Sequence, residues 1–429
     1  MGEPLSQSAA PAAALDSLVD DYSRQSVPDS ATVGGFRIGL ILLGAAIALP
    51  GFVLGSQLGA GLGFTNMIAA CFVGGAILVL IAVLSSIAGA RTRLSTYMLI
   101  LAAFGKSGGK LANAVIGLSL LGWFGVIAMM FGRSATQVSG GDGTSAVLLW
   151  AAGGSLVMLA SAIVGFRALD RLSAVLTPVK ATLLVVTAAA ALRQFGGAAL
   201  TGNEATPPMS LGTGITLVVG ALVIGAAVQP DLSRFARTPL SAALASGLVF
   251  GLGFPAVLIL AGVPSIIMHQ SDIVAIMVAL GLGLPAMMTV LLAAWTNNTY
   301  NLYASSLILK TILARQPRWR LTLAVGAIGT ALGLLGIAEQ IIPYLVVLSV
   351  VMPPIAGIYL ANYYVSRICH DRLDCTAAWS AAAAAAWLLA AGLAALESWF
   401  GFAVAGVPAL DSLFLAALVY VALRRLEKR

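Results

Sequence analysis

Long apolar stretches broken by short basic segments run through this chain from about residue 35 to its end. Each approaches the ~20 residues that a helix needs to cross the hydrocarbon core of a bilayer. About twelve such stretches can be drawn, at roughly 35–60, 65–89, 110–132, 145–166, 172–192, 211–232, 239–262, 286–306, 320–338, 341–365, 376–396 and 407–423. The pattern predicts an all-α polytopic membrane protein. One segment departs from it: Trp295-Thr296-Asn297-Asn298-Thr299-Tyr300-Asn301 sets a polar patch inside an otherwise apolar span. Unpaired amides in hydrocarbon are costly, so the patch is expected to face a cavity, a ligand or an ion. It holds amide donors and acceptors without a carboxylate, which suits a neutral polar solute.

Two interruptions occupy corresponding places. The first span carries Ala48-Leu49-Pro50-Gly51, where proline removes an amide and glycine admits unusual backbone angles. The sixth carries Gly220 and Gly225 and closes with Gln229-Pro230-Asp231. Interrupted spans five helices apart are the mark of two inverted five-helix repeats. The expected organisation is a tail at 1–33, a first repeat at 34–195, a second at 211–365, and two additional spans at 376–424. Between spans seven and eight, Pro264 and Pro285 bracket an apolar stretch interrupted by His269-Gln270-Ser271-Asp272, which suggests a half-buried outer helix able to serve as a lid.

Composition agrees. Of 429 residues, 60% are hydrophobic and 9% charged, too apolar for a soluble domain of this size, and 47 glycines suit close helix packing in lipid. The net charge of +7 needs no nucleic acid to explain it. With both termini inside, Arg91, Arg93, Lys106, Lys110, Arg171, Arg234, Arg237, Lys310, Arg315, Arg318 and Arg320 gather on one side, and the outer segments keep little more than Arg133 and Arg193. That asymmetry points to an even number of spans and a multi-pass protein of the cell inner (plasma) membrane. The tail lacks the basic-then-apolar order of a signal peptide and reads as disordered and cytoplasmic. Cys369 and Cys375 flank His370, Asp371 and Asp374, but the spacing matches no standard zinc pattern.

Four motifs in register bring a family into view: Gly122-Trp123-Phe124-Gly125, Asp231-x-x-Arg234-Phe235, the Trp295 to Tyr303 stretch, and Pro353-Pro354-Ile355-Ala356-Gly357. Together, from about Val27 to Tyr364, they resemble the cytosine permeases of the nucleobase–cation symporter family. The resemblance implies a LeuT-type fold and uptake of a small planar heterocycle coupled to sodium or a proton, with no bound cofactor. It also implies a substrate at the midplane, between spans one, three, six and eight, with Trp123 stacked on the ring and Asn298 bonded to its edge. Stacking suits such a ring, whose faces are apolar and whose edge carries donors and acceptors. The chain departs from the cytosine permeases at Leu120, where they carry Gln, and at Ala221, Leu222 and Ile224, where they carry Ser and Phe types. These changes place cytosine itself in question and leave room for another heterocycle, such as a hydantoin.

Lys180 is a further departure. Nine residues past Arg171, it lies roughly 13 Å into a core about 30 Å thick. Some cation-independent transporters of this fold place a lysine ammonium where others bind sodium. Lys180 is therefore expected to donate to carbonyls near Gly44 to Ala48 and to the Asn298 and Asn301 amides, and to lose and regain a proton in the cycle. The alternatives are a snorkelling side chain and a sodium ion held by the same carbonyls with Asn298, Thr299 or Asn301. Asp231 and Arg234, three apart, form either a local helix-end pair or part of an inner gate. No cluster of catalytic residues at one depth suggests an enzyme. A substrate sensor built on the same fold remains the alternative to transport.

Overall fold

The computed structural model describes residues 26–164, 166–200, 209–313, 315–366, 377–404 and 407–427. The Cys369–Cys375 loop and most of the tail fall outside them. Fifteen α-helices organise the described chain: α1 (Gly35–Ala46), α2 (Leu49–Thr92), α3 (Thr96–Val138), α4 (Gly143–Val164), α5 (Phe166–Phe195), α6 (Leu211–Ala227), α7 (Pro230–Ser233), α8 (Pro239–Leu248), α9 (Phe254–Met268), α10 (Ile273–Ala279), α11 (Gly283–Ile312), α12 (Arg318–Leu334), α13 (Ile341–Ala361), α14 (Ala381–Phe400) and α15 (Pro408–Glu427). Eight helical segments among the described residues are long and apolar enough to cross a membrane.

At 44 residues, α2 would be about 66 Å long if straight, twice the thickness of the hydrocarbon core. It breaks instead at Gly63, where φ is 69°, and α3 breaks likewise at Gly105, where φ is 80°. Only glycine takes those angles without strain. The second break is bridged from outside, since Lys106 N and Ser107 N donate to Ala377 O at 3.1 Å and Ala378 O at 2.8 Å.

The interruption in span one lies where the sequence put it. Helix α1 stops at Ala46, Ile47 and Ala48 are non-helical, and α2 restarts with Pro50 in its first turn, where a missing amide costs nothing. In span six the break falls at Val228-Gln229, between α6 and α7, and not at the glycines. Gly220 lies in continuous helix because space demands it: a Cβ there would stand 2.6 Å from Leu345 O of α13. Span seven is α8 and α9 joined through a π-helical turn at Val249–Gly253.

Helix α11 carries the polar patch within its length, so the Asn cluster belongs to span eight and not to an outer loop. Helix α10 precedes it, capped by Asp272 Oδ1 on Val274 N (2.9 Å) and Ala275 N (3.1 Å), and buries Ile273, Val274, Ile276 and Met277. Helices α2 and α9 pack so closely that a Cβ on Gly59 would meet Gly262 Cα at 3.0 Å. Near the ends of α2 and α7, Arg93 gathers three segments. Its guanidinium donates to Arg234 O (3.1 Å), Ala236 O (2.5 Å) and Arg237 O (3.3 Å), and pairs with Asp29 at 3.2 Å. Beside it Val33 N donates to Phe235 O at 2.7 Å and Arg237 N to Val33 O at 3.0 Å, forming the isolated bridge between Val33 and Ala236.

Candidate functional site

A cavity of about 60 Å³ opens where the two interrupted spans face each other. That is several times the ~10–15 Å³ needed to admit one water, so the site is roomy enough for solvent or a small solute. Ala45, Ala46, Ala48, Pro50 and Gly51 line it from the first break, and Gly225 and Gln229 from the second. Trp123 of α3 lines it as expected, held edge-on by Tyr344 with ring centroids 5.5 Å apart at 75°. The Tyr344 hydroxyl in turn donates to Ser119 O. Leu120, Ala221, Leu222 and Ile224, the positions where the chain leaves the cytosine permease pattern, all line the cavity and make most of it apolar.

Two aromatic walls were not legible beforehand. Phe250 and Phe254 reach the cavity from span seven, and nothing in the sequence marks the π turn that sets their phase.

The polar edge comes from α11. Asn297, Tyr300 and Asn301 line the cavity, one helical face at spacings of three and four. Asn297 Nδ2 donates to Ala45 O at 2.6 Å, filling an acceptor that the end of α1 leaves open, and Asn301 Nδ2 donates to Asn297 Oδ1 at 3.0 Å. The Tyr300 hydroxyl is buried and has no hydrogen-bond partner among the described residues. Asn298 is placed differently from the expectation. One residue on, about 100° round the helix, it donates to Phe124 O at 3.1 Å and to Met158 Sδ at 3.4 Å, and it does not line the cavity. Thr299 Oγ1 is spent on Trp295 O at 2.7 Å.

Lys180 is fully buried on α5, against the break in span one. Its ammonium donates to Gly44 O (2.5 Å), Ile47 O (3.0 Å) and Thr296 Oγ1 (2.6 Å), matching three donors to three neutral oxygens. The carbonyls are those expected. The third partner is Thr296, in place of the Asn298 and Asn301 amides, because Thr296 is the α11 residue turned toward α5. The last carbonyls of α1 carry its negative dipole end, which favours a cation there. Ala48 lines the cavity beside this site.

Asp231 is buried, with Oδ1 accepting from Thr96 N at 2.8 Å, while Arg234 Nε donates to the Asp231 carbonyl at 3.1 Å. Among the described residues no group of three or more His, Cys, Asp or Glu could hold a metal ion.

A cavity between two broken helices, inside an almost wholly helical and apolar bundle, defines a multi-pass membrane transporter. Residues 27–396 match the family of permeases for cytosine/purines, uracil, thiamine and allantoin, and the chain belongs to that family. It is 29% identical over 411 residues to the cytosine permease of Escherichia coli (strain K12), covering 96% of both chains. Among solved structures it shares the fold of Mhp1, a nucleobase-cation-symport-1 family transporter, in a closed conformation with bromovinylhydantoin bound (TM-score 0.83, 17% identity, 95% of this chain and 96% of that one). The inward-facing conformation of Mhp1 aligns at TM-score 0.77 with 18% identity over 92% and 91% of the chains. A Na+-coupled sialic acid symporter in an outward-open state aligns at 0.66, with 12% identity over 97% and 95%.

Proposed function

We propose that this permease imports a small planar heterocycle, a nucleobase such as cytosine or a related purine or pyrimidine, by cation symport with alternating access. The observation that carries the reading is the cavity itself, with the Trp123 ring for the flat face and the Asn297, Tyr300 and Asn301 groups for the edge. The matching of both closed and inward-facing Mhp1 supports alternating access. The apolar lining at Leu120, Ala221, Leu222 and Ile224 favours a less polar ring than cytosine, and a hydantoin-like heterocycle is the second reading. Two inverted repeats at 34–195 and 211–365, two further spans at 376–424, twelve crossings in all and both termini on the cytoplasmic side of the plasma membrane complete the proposed arrangement.

Lys180 is the proposed substitute for the coupling ion. Its ammonium takes the Gly44 and Ile47 carbonyls that a sodium ion would need, so one position does not serve both. The Asp231–Arg234 region acts as part of the inner gate, tied to the start of α3 through Thr96.

Radiolabelled uptake into proteoliposomes tests the whole reading, using nucleobases and hydantoins under a sodium gradient and, separately, a proton gradient. Uptake driven only by protons supports it with Lys180 as the coupling group. Uptake driven by sodium retains the transport assignment and removes the role given to Lys180. Ligand binding without accumulation identifies a sensor.

A further inference from the structure

One end of the cavity is built by two helix faces laid against each other. Gly225 and Gln229 are four residues apart at the end of span six, and Ser246 and Phe250 are four apart in span seven, so each pair shares a face. Gly225 leaves the space that the Phe250 ring approaches, its Cζ 3.9 Å from where a Cβ would stand. Gln229 is fully buried and held on both sides of its amide. Its Oε1 faces Ser246 Oγ at 3.1 Å and Ser86 Oγ at 3.4 Å, two hydroxyls bonded to each other at 2.5 Å, so one of the pair donates to Oε1, while Nε2 donates to Gly225 O at 2.8 Å. Turning the amide over would set Oε1 against the Gly225 carbonyl, two acceptors facing each other, so the network fixes which end is which. Oε1 is thereby turned to the serine pair and Nε2 to the Gly225 carbonyl, which leaves Nε2 one further hydrogen, and Gln229 lines the cavity.

We propose that Gln229 is a specificity-determining residue whose remaining amide hydrogen donates to an acceptor on the substrate edge, an oxo group or an unprotonated ring nitrogen. This rests on the heterocycle reading above. The Gln229 oxygen is turned to the serines, so a ring presenting N–H to Nε2 meets donor with donor and is rejected. The Gly225 carbonyl imposes this choice, Ser86 and Ser246 satisfy the other end of the amide, and Phe250 backs the same corner with an apolar wall.

The test is equilibrium binding to the purified full-length protein of a heterocycle that binds, together with analogues in which each acceptor in turn is replaced by C–H or by N–H. In the unaltered protein one C–H replacement is expected to weaken binding about 3- to 10-fold, the range of one neutral hydrogen bond. Gln229→Leu removes that discrimination and binds the replaced analogue as well as the unaltered protein does. Gln229→Met keeps the length of the side chain and removes the amide, so it loses the same discrimination, a change confined to one analogue that simple loosening of the fold would not produce. A heterocycle that binds while Gln229→Leu discriminates the series as before overturns the proposal and leaves the transport reading intact. Should Gln229→Leu not fold, unchanged discrimination of the series by Gln229→Met overturns it by itself. Failure of every heterocycle to bind the unaltered protein removes the parent reading and this one with it.

Discussion

The Lys180 ammonium lies 2.5 Å from the carbonyl oxygen of Gly44, a residue 136 positions earlier in the chain. The contact joins the interior of α5 to the end of α1 at the one place where that helix leaves carbonyls without amide partners. Lys180→Ala is expected to abolish accumulation driven by a proton gradient while substrate exchange at equal concentrations persists. Measuring both in one vesicle preparation checks the separation, and undiminished proton-driven accumulation rules the assignment out.

The same substitution leaves the Gly44 and Ile47 carbonyls short of donors. Each orphaned group costs about 1–3 kcal/mol, so thermal unfolding of Lys180→Ala in detergent should fall clearly below that of the unaltered protein. If sodium then fills the gap, adding it will restore part of the loss, whereas potassium at equal ionic strength will restore less.

Trp123 offers its ring to the cavity while Tyr344 fixes its edge. Trp123→Ala should weaken heterocycle binding by about 1 kcal/mol or more, with Trp123→Phe intermediate, since an aromatic pair contributes ~0.5–1.5 kcal/mol beyond area burial. A titration of both variants with one ligand decides it. Equal affinity in all three proteins removes Trp123 from the site.

Asn297 and Asn298 differ by one residue and separate cleanly in experiment. Asn297→Ala is expected to weaken ligand binding and transport, because Asn297 lines the cavity and ties α11 to Ala45. Asn298→Ala should instead lower the unfolding temperature, because its amide serves Phe124 O away from the cavity. Reversed phenotypes would return the substrate contact to Asn298.

Much of this was legible because hydrocarbon punishes polar groups so heavily. Lys180 could be singled out from its depth, and its partners near Gly44 came from the fold that the resemblance implies. The patch from Trp295 to Asn301 announced a polar face, but sequence order does not say which of two adjacent asparagines points inward. That is a matter of helix rotation, set by how α11 packs on α3 and α5. The second break was marked by Gln229-Pro230, whereas Gly220 serves close packing against Leu345 O and Gly225 leaves room for Phe250, and neither ends a helix. Phe250 and Phe254 stayed hidden for a third reason. A π turn shifts the phase of everything after it, and no residue pattern in Val249–Gly253 compels one.

Gly59 rests on Gly262 with room between them for little more than hydrogen. A contact made of backbone alone has no side chains to repack, so it passes on displacement without slack. The first half of α2 and all of α9 therefore form a single lever. It is joined to α1 by the two-residue gap at Ile47 and Ala48, and Lys180 holds both that gap, at Ile47 O, and the end of α1, at Gly44 O.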